Sequence, residues 1–437
     1  MSEAKIKLLY IQPAPLFGGA ERQAAEQASI LPRFGVDPTV VAGPGQAIID
    51  WLEAEGVENV VKSGNFPGGW PKQRGLAKLG LPLRVLGCGL RARAELDGLA
   101  RATRFDVIVA SLPFAWFTGS LVAKAHGVPI VWRAGGAYIN PAQAAGMWLA
   151  TRFIRPDLLV CNGQAVKSTF APVVPAPVAI LPNGVDTSVF HPGAGDRSRF
   201  RPPGARWVVG YAGRLAVRKR PQDVIELAAR LEQTRPGAHV ILAGEGSKRE
   251  EYAALARARG ADNVSFLGYV ADMPSFYAAC DLVVLPSSSE GSSNAVLEAM
   301  ASGLTVVATD IPPLVEQIEH GVTGLIYPLG DVSAFTRSVE SLLDDESLRQ
   351  AMAARAFEHA QSFTTLAAAE RLASLVKELV AAHARQPGSS RETAAEPAAT
   401  TATSRPRPEP FDSALRYIRP SDLRGSDSRR RSGSGGG

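Results

Sequence analysis

The chain has 437 residues, of which 46% are hydrophobic and 20% are charged, a composition typical of a globular protein with two or three domains. It has no apolar run long enough to span a bilayer and no signal-peptide pattern at the N-terminus, so we expect a cytoplasmic protein. The net charge of +5 does not indicate nucleic-acid binding, because residues 386–437 carry nine arginines against six acidic residues and hold most of the excess.

The first half of the chain predicts a doubly wound parallel sheet. Residues 5–11 read as a buried strand, and a helix opens at 17–20 and runs to Arg33. Gly18 and Gly19 begin that helix, where backbone N–H groups can hold a phosphate or sugar; a tight turn is the alternative. The pair lacks the G-x-G-x-x-G spacing of a dehydrogenase. Further strands are predicted at 39–42, 107–110, 130–132 and 158–161.

A basic segment separates the second and third of these strands. Residues 62–104 carry nine basic and two acidic residues, interleaved with Trp70 and several leucines. One interpretation is an amphipathic basic helix that rests on an anionic membrane. The other is a set of ordinary solvated helix faces in the first domain. The sequence leaves both open.

The second half repeats the strand and helix pattern after a turn-rich segment at 181–192. The predicted strand 207–212 ends before Arg214, and Lys219 precedes a helix over 222–234. A guanidinium and an ammonium at the carboxyl end of a strand would stabilise a departing diphosphate without a metal. Ordinary surface basic residues are the alternative.

The most informative stretch is 281–310, which predicts a strand at 282–285, a polar loop, a helix at 295–301 and a strand at 305–308. Glu290 lies in the loop and Glu298 on the helix. Ligands of open α/β sheets bind at the carboxyl ends of strands, where carboxylates can accept hydrogen bonds from sugar and ribose hydroxyls. Solvated acids near a helix end are the alternative. Glu316, after the next strand, is a further cleft candidate.

The E-x7-E spacing of Glu290 and Glu298 and the string GRLAVRKRP at 213–221 resemble the retaining glycosyltransferases of GT-B fold, of the family 4 (group 1) type. The resemblance covers residues 5–385. It implies an α/β fold of two Rossmann-like, doubly wound domains facing a cleft, with a C-terminal helix crossing back to the first domain. The expected parts are an acceptor-side domain (1–182), a linker (183–202), a nucleotide-sugar-binding domain (203–362), the returning helix (363–385) and a disordered tail (386–437).

The resemblance also implies an activity. A hexosyl-type group would pass from a UDP-sugar or GDP-sugar to a hydroxyl of a saccharide or lipid-linked acceptor, with retention of configuration. Neither a metal nor another cofactor is expected, and no nucleic acid. A peripheral contact with an anionic membrane depends on the membrane interpretation of the basic segment at 62–104 and stays open with it. The implied catalytic residues are Arg214, Lys219 and Glu290. The implied donor-binding residues are Gly18, Gly19, Gly244, Tyr269, Val270, Gly291, Ser292, Ser293 and Glu298.

The chain departs from the family pattern at 128–140, VPIVWRAGGAYIN. Gly135 stands where the family usually has a histidine that contacts the transferred sugar. Arg133, two residues earlier, is expected to contact a phosphate or an acidic acceptor, with a structural salt bridge as the alternative. His126 is not a substitute, because it precedes the strand. The missing histidine leaves a non-catalytic sugar-nucleotide-binding protein open, as well as an epimerase or phosphorylase on the same fold.

Overall fold

The computed structural model describes residues 5–13, 18–66, 81–136 and 139–385, and in these ranges the chain forms two parallel β-sheets. Phe17, Trp70 and the predicted tail at 386–437 lie outside the described residues. Within the ranges described, no helix is both long enough and apolar enough to cross a membrane.

The first sheet comprises seven described strands in the order β3-β2-β1-β4-β5-β6-β7, all parallel. The strands and the helices between them are, in chain order, β1 (Ile6–Gln12), α1 (Gly19–Ile30), β2 (Val36–Ala42), α2 (Gln46–Ala54), β3 (Asn59–Lys62), α3 (Leu81–Ala102), β4 (Val107–Ser111), α4 (Pro113–His126), β5 (Ile130–Ala134), α5 (Pro141–Ala150), β6 (Leu158–Cys161), α6 (Gln164–Phe170) and β7 (Val178–Ile180).

The second sheet has six strands in the described ranges, in the order β10-β9-β8-β11-β12-β13 and again parallel. Its elements are β8 (Trp207–Ala212), α7 (Pro221–Thr234), β9 (Ala238–Ala243), α8 (Arg249–Arg259), β10 (Val264–Gly268), α9 (Met273–Ala279), β11 (Leu282–Leu285), α10 (Asn294–Ala301), β12 (Val306–Thr309), α11 (Pro312–Val315), β13 (Gly324–Tyr327), α12 (Val332–Asp344), α13 (Glu346–Ala360) and α14 (Thr365–Ala384).

Both sheets are buried on their two faces, which is the reason their central strands read as continuous apolar runs. In the first sheet, Leu8 and Tyr10 face a core that includes α1 and α2, whereas Leu9 and Ile11 face a core that includes α3 to α6. The doubly wound prediction is therefore confirmed for each sheet.

The last helix, α14, belongs to the second half in sequence but packs on the first sheet. Leu372 and Val376 are fully buried in the same core as Leu8. His383 Nε2 lies 3.0 Å from the carbonyl oxygen of Gly127, which ends α4. The predicted return of the C-terminal helix to the first domain is confirmed.

The described part of the basic segment is an ordinary packed helix. Ala92 and Leu96 of α3 are buried in the core of the first sheet. Its two acidic residues are bound locally, Glu95 by Ser63 and Asp97 by Arg101 and His126. This arrangement favours the solvated-face interpretation for α3, while residues 67–80 lie outside the described part.

Candidate active site

The loops that follow the strands of the two sheets meet each other. Asn294, which opens α10, donates from Nδ2 to the carbonyl oxygen of Gly19 at 3.1 Å. The carboxylate of Glu316 accepts hydrogen bonds from the backbone N–H groups of Gln164 and Ala165 at the start of α6. The carboxyl edges of both sheets therefore line one cleft, the position at which open α/β sheets bind ligands.

An ion pair inside this cleft joins two of the predicted catalytic residues. Lys219 Nζ lies 2.5 Å from Glu290 Oε1, and their side chains are only 14% and 6% exposed. Lys219 ends a short 3-10 turn (Val217–Lys219) after β8, and Glu290 lies in the loop after β11, so the adjacent strands β8 and β11 bring them together.

The neighbouring basic residues point elsewhere. Arg220 forms an ion pair with Asp223 at 2.6 Å, and Arg218 Nη1 donates to the carbonyl oxygen of Ser289 at 3.4 Å. Arg220 also has a left-handed backbone with φ of 50°, an uncommon conformation for a residue other than glycine. The turn thus places Lys219, rather than either arginine, against Glu290.

Arg214 follows β8 and has an exposed side chain. Its charge reaches Glu21 in the first turn of α1. Burial raises the pKa of the Glu21 carboxyl, while its hydrogen bonds to backbone N–H groups and its attraction to Arg214 oppose that rise. Arg214 therefore lies across the cleft from the Gly18–Gly19 turn, since Gly18 caps the same helix.

Glu298 occupies a different setting from Glu290. Its Oε1 pairs with Arg22 Nη1 of α1 at 3.1 Å, and its Oε2 accepts a hydrogen bond from the Tyr277 hydroxyl at 2.9 Å. Burial raises the pKa of this carboxyl, and Arg22 opposes the rise. The predicted ribose-binding carboxylate has both oxygens bound to protein groups here, so it joins the two domains.

The contact between Arg22 and Glu298 continues into α1. Arg22 Nε also pairs with Glu26 Oε1 at 2.7 Å, and Gln23 Nε2 donates to Glu26 Oε2 at 3.0 Å. Burial raises the pKa of Glu26 to about 7, although the charge of Arg22 lowers it in part. Two desolvated carboxylates, Glu26 and Glu298, thus share one guanidinium.

The loop before α10 lies directly against the first domain at Gly291. A Cβ at this position would overlap the carbonyl oxygen of Gly135 and would lie 3.2 Å from Asn162 Nδ2, so glycine is required by space rather than by φ. The departure at Gly135 and the predicted sugar-binding loop are therefore in direct contact.

Gln317 holds the two serines that follow. Its Nε2 donates to Ser292 Oγ at 3.2 Å, and its Oε1 accepts the backbone N–H of Ser293 at 2.8 Å. Asn183 reinforces the same loop by donating to the carbonyl oxygen of Ser292 at 3.2 Å. The loop is consequently well ordered by neutral side chains around its backbone.

The remaining predicted donor contacts lie beside β9 and β10. Gly244 has φ of 143°, and a Cβ there would overlap the carbonyl oxygen of Gly213. Tyr269 is 69% exposed after β10, whereas Val270 is buried in the core of the second sheet. Only the backbone of Val270 can therefore contact a ligand, because its side chain is buried.

Arg133 lies at the carboxyl end of β5. Its Nη1 donates to the Tyr10 hydroxyl and, at 2.7 Å, to Gln27 Oε1 of α1. Both partners are neutral, so among the described residues Arg133 does not form the structural salt bridge that was the alternative. Gln27 Nε2 and Gln12 Oε1 are buried without a hydrogen-bond partner among the described residues. Both side chains are buried, so this spare hydrogen-bonding capacity lies inside the first domain.

Several residues of this site were not predicted. Arg22 and Glu21 belong to the GGAER string at 18–22, one turn into the helix that Gly18 opens, and their position beside the glycines was the available signal. Tyr277 and Gln317 could not be predicted in this way, because neither lies beside a glycine pair or another motif in the sequence. His126 pairs with Asp97 at the amino end of the sheet, as expected from its place before β5.

Two family models match the chain, one to each half. The model described as Glycosyltransferase Family 4 matches residues 17–189, and the model described as Glycosyl transferases group 1 matches residues 195–359.

Named relatives extend the comparison. The chain is 29% identical over 344 residues to the lipopolysaccharide core biosynthesis glycosyltransferase LpsE of Rhizobium meliloti, covering 78% of this chain and 90% of LpsE. It is 33% identical over 344 residues to the D-inositol 3-phosphate glycosyltransferase of Salinispora tropica, covering 71% of each.

A solved structure has the same fold. The crystal structure of Anabaena HepE in complex with UDP-glucose superposes with a TM-score of 0.70 at 23% identity, over 85% of this chain and all of that one. The GT-B architecture of two Rossmann-like domains is thereby confirmed.

Proposed function

Because the chain belongs to glycosyltransferase family 4, group 1, we propose that it moves a hexosyl-type sugar from a nucleoside diphosphate sugar to a hydroxyl acceptor with retention of configuration. The observation that carries the proposal is the buried Lys219–Glu290 ion pair, with Arg214 on the same strand end. It supplies positive charge where a diphosphate leaves and a carboxylate where sugar hydroxyls bind.

The donor diphosphate is proposed to bind between Arg214 and Lys219. Negative charge grows on the leaving diphosphate in the transition state, and pre-positioned cations in a cleft stabilise it more than they stabilise the ground state. The two basic side chains supply this charge themselves, so we propose that neither a metal nor another cofactor takes part. Glu290 would then exchange Lys219 for sugar hydroxyls.

The rest of the donor is proposed to lie along the carboxyl edge of the second sheet. The backbone at Gly244, Tyr269 and Val270 would contact the base, and Gly291 to Ser293 the sugar. UDP is favoured over GDP because HepE, which shares the fold, was solved with UDP-glucose. Glu298 would contact the ribose by exchanging Tyr277 for a ribose hydroxyl while it keeps Arg22.

The reaction is proposed to proceed on one face of the sugar. The bond from the anomeric carbon to the diphosphate oxygen breaks, a bond to the acceptor oxygen forms, and the acceptor proton passes to the departing phosphate oxygen. Contact between Gly291 and Gly135 would close the cleft and exclude water, which limits hydrolysis of the donor. No histidine is needed in this scheme at position 135.

The acceptor is proposed to be a saccharide, either lipid-linked or part of a surface polysaccharide, held by the first domain. LpsE acts in lipopolysaccharide core biosynthesis, as its name states. Arg133, which is partly exposed at the end of β5, would donate N–H groups to a polyhydroxylated or acidic sugar. Such an acceptor would place the protein at the cytoplasmic face of a membrane, in peripheral contact with it.

Product analysis tests the proposal. The purified protein is incubated with UDP-sugars and GDP-sugars, with and without saccharide acceptors, and products are followed by mass spectrometry and by the anomeric coupling constant. Transfer to a hydroxyl with an unchanged anomer is expected. Interconversion of the donor without acceptor would identify an epimerase, dependence on inorganic phosphate a phosphorylase, and donor binding without turnover a non-catalytic protein.

A further inference from the structure

The outer face of α5 exposes large apolar side chains that the proposed reaction does not use. Trp148 and Leu149, in the last turn of the helix, are 48% and 57% exposed, and Phe153, in the turn that follows, is 78% exposed. Met147 of the same turn is buried in the core of the first sheet. The exposed side chains therefore share the side of α5 that faces away from the core, and we call residues 148–155 the α5 surface.

Positive charge accompanies these apolar side chains. The Arg152 guanidinium stacks over the Trp148 ring with its carbon 3.9 Å from the ring centroid. Arg155 is also exposed. Between residues 139 and 180 the sequence has one acidic residue, Asp157, and its Oδ2 accepts the backbone N–H of Ile130 at 2.8 Å. The α5 surface is thus both apolar and cationic.

A shallow cavity adjoins the stacked pair. It lies between the end of α5 and the segment that follows α6, and it is lined by Trp148, Thr151, Arg152, Ala171, Pro172 and Pro175. A concave site beside a guanidinium and an indole is suited to a phosphate head group, since arginine binds phosphate through several N–H groups and tryptophan prefers the membrane interface.

We propose that the α5 surface docks on an anionic lipid bilayer. Trp148, Leu149 and Phe153 enter the interfacial region, and Arg152 and Arg155 contact lipid phosphates. A second copy of the chain is a poorer occupant, because a two-fold interface would bring the same arginines of both copies together without acidic partners. The inference goes beyond the proposed function, because the last turn of α5 leads into the amino end of β6, at the opposite edge of the first sheet from the cleft, and lipid binding can be measured without any sugar.

The α5 surface differs from the basic segment at 62–104. In the described part of that segment the acidic residues are bound to neighbouring side chains and the apolar residues Ala92 and Leu96 face the core. Leu90 is exposed there, and Arg91 and Arg93 lie beside it without an exposed aromatic residue. These two arginines provide a charge-matched control for Arg152 and Arg155.

Co-sedimentation of the full chain with vesicles tests the proposal. The parental protein is expected to bind vesicles of phosphatidylcholine mixed with phosphatidylglycerol and to bind pure phosphatidylcholine much less. Trp148→Ser with Phe153→Ser should lower the bound-to-free ratio about tenfold, as should Arg152→Gln with Arg155→Gln. The controls Leu348→Ser with Leu366→Ser, and Arg91→Gln with Arg93→Gln, should bind as the parental chain does.

Several results would overturn the proposal. The first is that the parental chain does not bind vesicles. The second is that vesicle binding is lost only in the Arg91 and Arg93 variant. The third is that light scattering shows a dimer and that the Trp148 and Phe153 variant is monomeric. Circular dichroism checks that each variant is folded. Donor turnover with a soluble acceptor should not change in the α5 variants, so a failure of lipid binding is distinguishable from a failure of the proposed transferase activity.

Discussion

Lys219 and Glu290 are most simply understood as charges that compensate each other until a donor arrives. Each is almost fully buried, and a buried charge without a partner is strongly destabilising. A diphosphate can replace the carboxylate as the partner of Lys219, and sugar hydroxyls can replace the ammonium as the partner of Glu290. Under the proposed function, the pair would keep the site neutral when it is empty and would let it bind an anion when a donor arrives.

Removal of the Lys219 charge should abolish most of the activity. Lys219→Ala is expected to lower kcat by about 100-fold or more, the usual effect of losing one group that stabilises transition-state charge. Steady-state kinetics with the identified donor measures this. Arg218→Ala is the matched control, in the same turn but outside the ion pair. Arg218 is exposed and does not pair with Glu290, so its loss should change kcat by no more than about a few fold.

The double variant Lys219→Ala with Glu290→Gln separates folding from catalysis. It leaves no unpaired buried charge, so its melting temperature should recover relative to Lys219→Ala while its kcat stays low. Recovery of both quantities in the double variant would contradict the role assigned to Lys219.

Glu26 should make stability depend on pH. Its pKa is raised from 4.5 to about 7 by burial, so the folded state holds the proton more tightly than the unfolded state does. The stability contributed by the protonated carboxyl is therefore lost as the pH rises from about 4.5 to about 7. Glutamine cannot ionise, so the melting temperature of Glu26→Gln minus that of the parental protein should become more positive as the pH rises from 5 to 8.

The control for this experiment is Glu370→Gln, at an exposed position of α14. Its difference from the parental protein should be the same at both pH values. If the melting-temperature difference between Glu26→Gln and the parental protein were the same at pH 5 and pH 8, Glu26 would be ionised in the folded protein at both pH values. That result would contradict the raised pKa.

At the scale of elements, the central strands were predictable because their apolar runs are long and β-branched. β3 (NVVK) and β7 (VAI) were not predicted, since they are edge strands of three or four residues with exposed ends. β13 (GLIY) was missed as well, in a turn-rich stretch. α1 ends at Ile30 rather than Arg33, because Pro32 leads the chain into a 3-10 turn (Leu31–Phe34).

Side-chain pairing across the cleft was beyond the reach of local patterns. Arg22 and Glu298 are 276 positions apart, and spacing along one chain segment carries no information about such a contact. The E-x7-E spacing identified both glutamates and placed them in one cleft, and the family resemblance assigned Glu290 to catalysis and Glu298 to donor binding. The structure separates them, because α10 turns Glu298 towards α1 and Tyr277. Their functional roles, and those of Arg214 and Lys219, stay predictions.

The returning helix should contribute to stability through its buried leucines. Leu372→Ala removes a fully buried side chain that packs on the first sheet, and it should lower the free energy of unfolding by about 2–5 kcal/mol. Leu366→Ala, on the exposed side of α14 at 44% exposure, should change it by no more than about 0.5 kcal/mol. Urea denaturation of both variants measures the difference, and equal effects would argue against packing of α14 on the first sheet.

At the scale of the whole molecule, the two domains meet where the loop before α10 touches the end of β5. Gly291→Ala should hold this contact open, because its Cβ would overlap the carbonyl oxygen of Gly135. A displacement of this size is expected to lower kcat/KM by about 100-fold. Gly98→Ala on α3 has open space around its Cβ and should retain parental kinetics; parental kinetics for Gly291→Ala would mean that close approach of the domains is not required.

The central claim is that one interdomain cleft binds a nucleoside diphosphate beside Arg214 and Lys219. A crystal structure of the protein with UDP tests it most directly. We expect the β-phosphate within hydrogen-bonding distance of both side chains, with Glu290 released from Lys219 towards the sugar side. A diphosphate bound away from both cations, with the Lys219–Glu290 pair intact, would contradict the account.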